Sequence, residues 1–336
     1  MKKLAIISAG FTAIAALGIT GGCSGDPETA LPPVTPHAMF ERLPYTAEAP
    51  PDNPMTDEKI ELGHKLYFEP KLSRSGIISC NTCHVVGAAG VDHRAIAIGE
   101  GARLGRRNSP TVFDSAFLKM QFWDGRAETL EEQAKLPIQA HEEMDLTPEE
   151  AVTRLSRTGY MPYFKKAFPD EDKPLTFENI AKAIATFERT LISRNAPFDQ
   201  YLDGQYDALN EKELAGMILF QNGCIICHQG PLLGGDRIMP FDALGGDDRG
   251  VGELTGNPAD DYHFRVSPLR NVALTYPYMH DGSVETLEEA VDLMAETQLH
   301  RVYSDEEREQ VTAFLRALTG KFPEIIHPLL PRDRHR

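Results

Sequence analysis

Apolar residues return every three or four positions over several stretches of this chain. That spacing predicts helices over residues 56–68, 128–135, 148–158, 176–193, 210–221, 285–298 and 305–318. In 285–298, for example, Leu287, Ala290, Val291, Met294 and Gln298 fall on one helical face. Several starts are marked by capping residues. Thr147 stands before Pro148 with Glu150 three positions on, which joins a capping box to a proline at the first helical position. Thr286 with Glu289 and Ser304 with Glu307 repeat the box, and Gly320 is a suitable stop after the last helix. Period-two alternation is sparse, and Gly- and Asp-rich segments such as 229–262 read as loops. The expected class is therefore all-α, mostly helical with long loops.

A short motif occurs twice. Gly63, Leu66 and Tyr67 lead to Cys80, and Gly216, Leu219 and Phe220 lead to Cys224. Each is a Gly-x-x-Leu-aromatic helix end shortly before a cysteine pair. Two copies of one small helical unit account for 336 residues better than one large domain. The expected division is an export signal over 1–22, a Pro-rich N-terminal arm or tether over 23–55, a first domain over 56–194 and a second over 195–336, joined near Arg194–Pro197. The export signal rests on Lys2 and Lys3 followed by an uncharged apolar run from Leu4 to Thr20 and small residues at Gly21 and Gly22. Cys23 follows, as at a bacterial lipoprotein cleavage site with Thr20 where Leu is usual, and is the expected lipid anchor. No other stretch approaches the roughly 20 apolar residues of a membrane span. The formal net charge of −16 argues against nucleic acid and anionic lipid as partners and suits a basic redox protein.

The cysteines carry the chemistry. Of five, four form Cys80-Asn81-Thr82-Cys83-His84 and Cys224-Ile225-Ile226-Cys227-His228. C-x-x-C-H is the attachment signature of c-type haem. Two thiols three residues apart reach the two vinyl groups on one porphyrin edge, and the next residue sets an imidazole under the iron. A zinc ribbon would place its pairs about 15–20 residues apart, far closer than Cys83 and Cys224, and a redox dithiol would need a βαβ context that is absent. Each iron then needs a sixth ligand, for electron transfer, or an open face, for chemistry. For the second haem Met279 and Met294 are both candidates, since Met/His ligation raises the potential. Near the first, His93, Glu100 and Glu143 are the candidate groups. A carboxylate above open iron can move a proton from the inner to the outer oxygen of peroxide.

These motifs resemble those of bacterial di-haem cytochrome c peroxidases, with the tryptophan-modifying MauG enzymes as relatives, from about Thr56 to Gly320. Ser79 to His84 is similar to the peroxidatic haem site. Arg107-Asn108-Ser109-Pro110-Thr111 and Gln121-Phe122-Trp123-Asp124-Gly125-Arg126-Ala127 are similar to the segments that line and bridge the haems. Leu269 to Val272 and Thr275 to Gly282 are similar to the second domain. The resemblance implies two cytochrome c-like domains, each with one covalent haem. It makes His84 the proximal ligand of the peroxidatic haem and Glu143 the acid/base over its open face, helped by Gln133. Trp123 then lies between the haems, and His228 and Met294 ligate the electron-transfer haem. MauG relatives carry Tyr where Met294 stands, so Met favours a peroxidase. Asn108 by its side chain, with Thr275 and Pro277 by their carbonyls, is similar to an interdomain calcium site.

The implied activity is reduction of hydrogen peroxide to water with electrons from a cytochrome c or cupredoxin, in a periplasmic homodimer. In many members a histidine in the loop matching 98–101 caps the resting peroxidatic iron, where this chain has Glu100. The first haem is then expected to be open when fully oxidised, unless Glu100 binds weakly or His93 swings in. The rival readings are a MauG-like oxidase and a di-haem electron-transfer cytochrome with no open iron.

Overall fold

The computed structural model describes residues 34–333. The export signal and Cys23 lie outside the described residues. The chain is rich in helix. In order these are α1 (Asp57–Tyr67), α2 (Cys80–Cys83), α3 (Leu130–Gln139), α4 (Pro148–Ser156), α5 (Met161–Ala167), α6 (Phe177–Glu188), α7 (Pro197–Leu202), α8 (Glu211–Gln221), α9 (Val251–Thr255), α10 (Leu287–Leu299) and α11 (Asp305–Arg316). The sheet among the described residues is one antiparallel pair, β1 (Ile238–Pro240) and β2 (His263–Arg265), with Met239 opposite Phe264. No helix among the described residues is long and apolar enough to cross a membrane.

All seven periodic segments are helical, and their caps are in place. The Thr147, Thr286 and Ser304 hydroxyls accept from the backbone N–H three residues on, and Glu150, Glu289 and Glu307 reach back to the cap. Two ends differ from expectation. Helix α3 continues through Pro137 to Gln139; the proline sits in the last turn and removes the N–H that would have bonded to the Gln133 carbonyl. Helix α6 ends at Glu188, because the following residues are drawn off to Asp114. Its carboxylate accepts from Ser193 N (2.7 Å), Ser193 Oγ (2.6 Å) and Asn271 Nδ2 (2.9 Å).

The buried apolar residues form two main clusters. One holds Leu62, Leu66, Tyr67, Ile138, Phe164, Ile184 and Phe187, and the other holds Phe198, Met217, Phe220, Val291, Phe314 and Leu315. In each, one glycine lets two helices touch. A Cβ on Gly63 of α1 would fall on the Ala183 carbonyl of α6, beside Phe187 Cβ. A Cβ on Gly216 of α8 would fall on the Gln310 carbonyl of α11, beside Phe314 Cβ. The residues after these aromatics also correspond: Phe187-Glu188-Arg189-Thr190-Leu191 against Phe314-Leu315-Arg316-Ala317-Leu318.

A second correspondence precedes α3 and α10. Asp124-Gly125 and Asp281-Gly282 turn loops closed by the bridges Gln121–Ala127 and Tyr278–Val284. Phe122 and Met279 have positive φ (68° and 70°) at the same place in the two loops. Glu-Thr-Leu-Glu-Glu then follows in both, at 128–132 and 285–289. This register sets Pro137 opposite Met294.

The N-terminal arm is no loose tether from Val34 onward. Phe40, Leu43 and Asn53 are buried, and the Phe40 ring meets Phe198 at 5.0 Å. Asn53 Nδ2 donates to Glu131 Oε1 (2.7 Å) and to the Lys182 carbonyl (2.9 Å). The C-terminal tail returns to the first cluster through Phe322, Ile325 and Leu330.

Candidate active site

Both attachment motifs are wound into single helical turns, which brings their two cysteines to one side. In the first, His84 N donates to Cys80 O (2.9 Å), and Ser79 N to Thr82 Oγ1 (3.0 Å). In the second, His228 N donates to Cys224 O (2.8 Å). None of these four cysteines is paired in a disulfide. Burial pushes Cys83 up to about 12 and Cys224 up to about 11, so both are neutral at ordinary pH.

The two histidines are held alike. His84 Nδ1 donates to the Pro110 carbonyl (2.9 Å) and His228 Nδ1 to the Leu233 carbonyl (3.0 Å). Burial lowers the pKa of both rings, so each is neutral. A donor at Nδ1 fixes the tautomer that leaves Nε2 with its lone pair, which is what an axial ligand needs. Tyr67 OH donates to the His84 carbonyl (2.6 Å) and stiffens the first turn.

One cavity of about 920 Å³ runs past both turns. That is at the upper end of the roughly 300–1,000 Å³ usual for a single bound ligand. Its walls include Cys80, Cys83 and His84 at one end and Cys224, Cys227 and His228 at the other, with Trp123 and Gln133 between them in sequence. Trp123 Nε1 donates to the Asn108 carbonyl (2.9 Å), and Arg265 N donates to the Trp123 carbonyl (2.7 Å). The indole is thus anchored at both its ring and its backbone.

Glu143 and Gln133 both face this cavity. The Glu143 segment is fixed by its backbone: Glu143 N donates to Ala140 O (3.1 Å), and its carbonyl accepts from Glu100 N (2.8 Å). Its carboxyl pKa is raised, chiefly by burial and further by Glu142, against the opposing pull of Arg126. A buried carboxyl with its affinity for protons raised is suited to take and return one. Met279 and Met294 also line the cavity, Met294 from α10 and Met279 from the loop before it.

Other candidate residues are placed elsewhere. Glu100 is buried outside the cavity wall, and its carboxylate accepts from Ser75 N (3.0 Å) and Ser75 Oγ (2.9 Å). His93 is also outside it; its Nδ1 lies 2.9 Å from the Tyr276 carbonyl, and its ring stacks on Tyr276 at 4.3 Å. Asn108, Thr275 and Pro277 do line the cavity. Asn108 Nδ2 donates to the Arg94 carbonyl (2.8 Å), which leaves Oδ1 as a free acceptor. No group of three or more His, Cys, Asp or Glu side chains among the described residues is arranged to hold a metal ion.

Three further wall residues escape sequence reasoning. Pro137 stands opposite Met294, Glu188 is a buried acid beside Cys80, and Arg265 is a buried cation whose Nη1 has no partner. The repeated Glu-Thr-Leu-Glu-Glu is the signal that exposes the first of them.

Comparisons with known proteins place the chain among relatives. A family model described as Di-haem cytochrome c peroxidase matches residues 57–207. The cytochrome c551 peroxidase of Pseudomonas aeruginosa is 43% identical over 304 residues, covering 88% of each chain. The chain belongs to the di-haem cytochrome c peroxidase family. The methylamine utilization protein MauG of Methylorubrum extorquens is 36% identical, covering 88% of this chain and 87% of its own. Among solved structures, a MauG-like protein associated with microbial copper homeostasis superposes with a TM-score of 0.74 at 30% identity, covering 84% of this chain and 95% of that one.

Proposed function

We propose that the protein reduces hydrogen peroxide to water with electrons from a small redox protein, H2O2 + 2 e− + 2 H+ → 2 H2O. Two covalent c-type haems would be held, one at Cys80 and Cys83 within 56–194 and one at Cys224 and Cys227 within 195–336. The turn geometry, the neutral thiols and the free Nε2 atoms fit them. When bound, the first supplies an iron that takes peroxide and the second relays electrons from the donor.

The observation that carries this reading is the mismatch between Pro137 and Met294. In the second half the eighth residue after the Thr286 cap is a thioether facing the cavity; in the first, the eighth after Thr129 is a proline with no donor atom. Met294 would join His228 as a ligand of the second haem iron, whereas the corresponding helix position in the first half offers no donor to join His84. Glu143 would take a proton from one peroxide oxygen and return it to the other, and Gln133 would offer a neutral hydrogen-bonding partner. Trp123 lies along the route between the two ends. Met294 in place of the Tyr of MauG relatives supports a peroxidase over a protein-modifying oxidase.

Glu100, tied to Ser75, is not poised to cap the first iron, and His93 is engaged with Tyr276. This supports a first haem that is open when fully oxidised. Oδ1 of Asn108 with the carbonyls of Thr275 and Pro277 supplies oxygen donors of the kind calcium takes, with waters completing the shell. Export to the periplasm, a lipid on Cys23 and a homodimer complete the proposal.

Stopped-flow mixing of the holoprotein with H2O2, before and after one-electron reduction, tests the function. Rapid spectral change in the fully oxidised state is expected; no reaction in either state overturns the assignment.

A further inference from the structure

We propose that Glu188 is the site that gains a proton as the first haem gains an electron, and releases it on reoxidation. This rests on the reading that this haem is attached at Cys80 and Cys83. The balance is one electron from the donor protein and one proton from solvent, with the proton forming the O–H bond of a Glu188 carboxylic acid. The net charge of the pocket is then the same before and after.

Placement is the first argument. Glu188 is 6% exposed and lines the cavity with Cys80 and Ile184. Its Oε2 is buried with no hydrogen-bond partner, and its side chain makes no hydrogen bond among the described residues. Leaving a buried polar atom unpaired is destabilising, so this carboxyl does not serve to hold the helices together.

The second argument comes from the other half of the chain. Glu188 corresponds to Leu315, which is also buried and also lines the cavity. The same helix pair, closed by Gly216 and Phe314 in place of Gly63 and Phe187, is therefore built with leucine at this point. The carboxyl is an addition specific to the half that carries Glu143.

The charged and titratable groups around it leave the proton on Glu188 finely placed. On its own helix end Arg189 favours the carboxylate, but both terminal guanidinium nitrogens, Nη1 and Nη2, are committed to Glu131 of α3 (2.7 and 2.9 Å). Glu131 itself opposes ionisation. Tyr67 of α1 and Cys80 of α2 face Glu188, and both hold their protons more tightly for it. Burial dominates and pushes Glu188 up to about 8. A negative charge added to a haem in this low-dielectric wall raises the proton affinity further, and removing it lowers the affinity.

The test is a spectroelectrochemical titration of the two-haem protein across about pH 6 to about pH 10, bracketing the buried value. Wild type is compared with E188Q and with E188L, the residue used by the other half. The potential of the first haem in wild type is expected to fall progressively below that of both variants as pH rises. Each tenfold difference in proton affinity between the redox states corresponds to 59 mV for one electron. The second haem should show the same pH profile in all three proteins. First-haem lines that stay parallel in wild type, E188Q and E188L overturn the proposal. Haem quantitation separates the two failures: one haem equivalent per chain sinks the proposed function, whereas two haems with parallel lines sink only the role of Glu188.

Discussion

At the residue scale, chemistry is concentrated in a few side chains whose surroundings set their protonation. In the proposed reaction Glu143 must be ionised to accept a proton from peroxide, and its pKa is raised by burial. Turnover should therefore fall as pH drops through a value above that of an ordinary glutamate. E143Q should lose about 10²–10⁴-fold in kcat/KM for peroxide, together with that acid limb, while keeping two haems. Steady-state assays over pH check both. Pro137 makes the complementary case. P137M places a thioether where the other half has Met294, so the oxidised first haem should turn low-spin and stop binding cyanide. Electron paramagnetic resonance reads this directly; an unchanged high-spin signal would show that the helix position does not govern the open face. His84 and His228 were legible from C-x-x-C-H because the spacing is set by the porphyrin itself. Glu188 was not, because one acid among 50 Asp and Glu carries no mark of burial.

At the scale of elements, the helices that sequence periodicity predicts are those with a complete apolar face and a capped start. The missed ones, α2, α5, α7 and α9, are short and depend on their neighbours for stability. The arm over 34–55 reads as a tether because it lacks periodicity, yet Phe40 and Asn53 fix it by single deep contacts that no window of sequence averages can register. The α1–α6 and α8–α11 pairs illustrate the opposite case, since Gly63 and Gly216 were visible as a repeated motif and their use is steric. G63A and G216A each force a methyl group onto a carbonyl oxygen. Each should cost about 1–3 kcal/mol, seen as a lowered Tm, with the larger loss of peroxide turnover for G63A because its pair packs beside the end of the cavity proposed to take peroxide.

At the scale of the whole molecule, the segments on either side of Arg194–Pro197 are fastened by Asp114. Its carboxylate reaches Ser193 at the joint and Asn271 beyond it, and Asn271 Oδ1 in turn accepts from Gly320 N (3.0 Å). D114A would leave the Ser193 N–H and the Ser193 hydroxyl buried without their acceptor, while Asn271 Nδ2 keeps Ser193 Oγ (2.9 Å). A loss of about 1–3 kcal/mol for each unpaired group is expected, seen as a lower denaturant midpoint. An unchanged midpoint would mean the fastening is redundant.

Because the helix pair, the turn and the capped loop occur twice, each half of the chain serves as a reference for the other. Agreement, as at Gly63 and Gly216 or at the two Thr caps, marks what any such module needs in order to stand. Divergence, as at Pro137 against Met294 and Glu188 against Leu315, marks where the halves are proposed to work differently. A chimaera that trades only these two positions between halves would ask how few side chains separate an oxidant-binding centre from a wire.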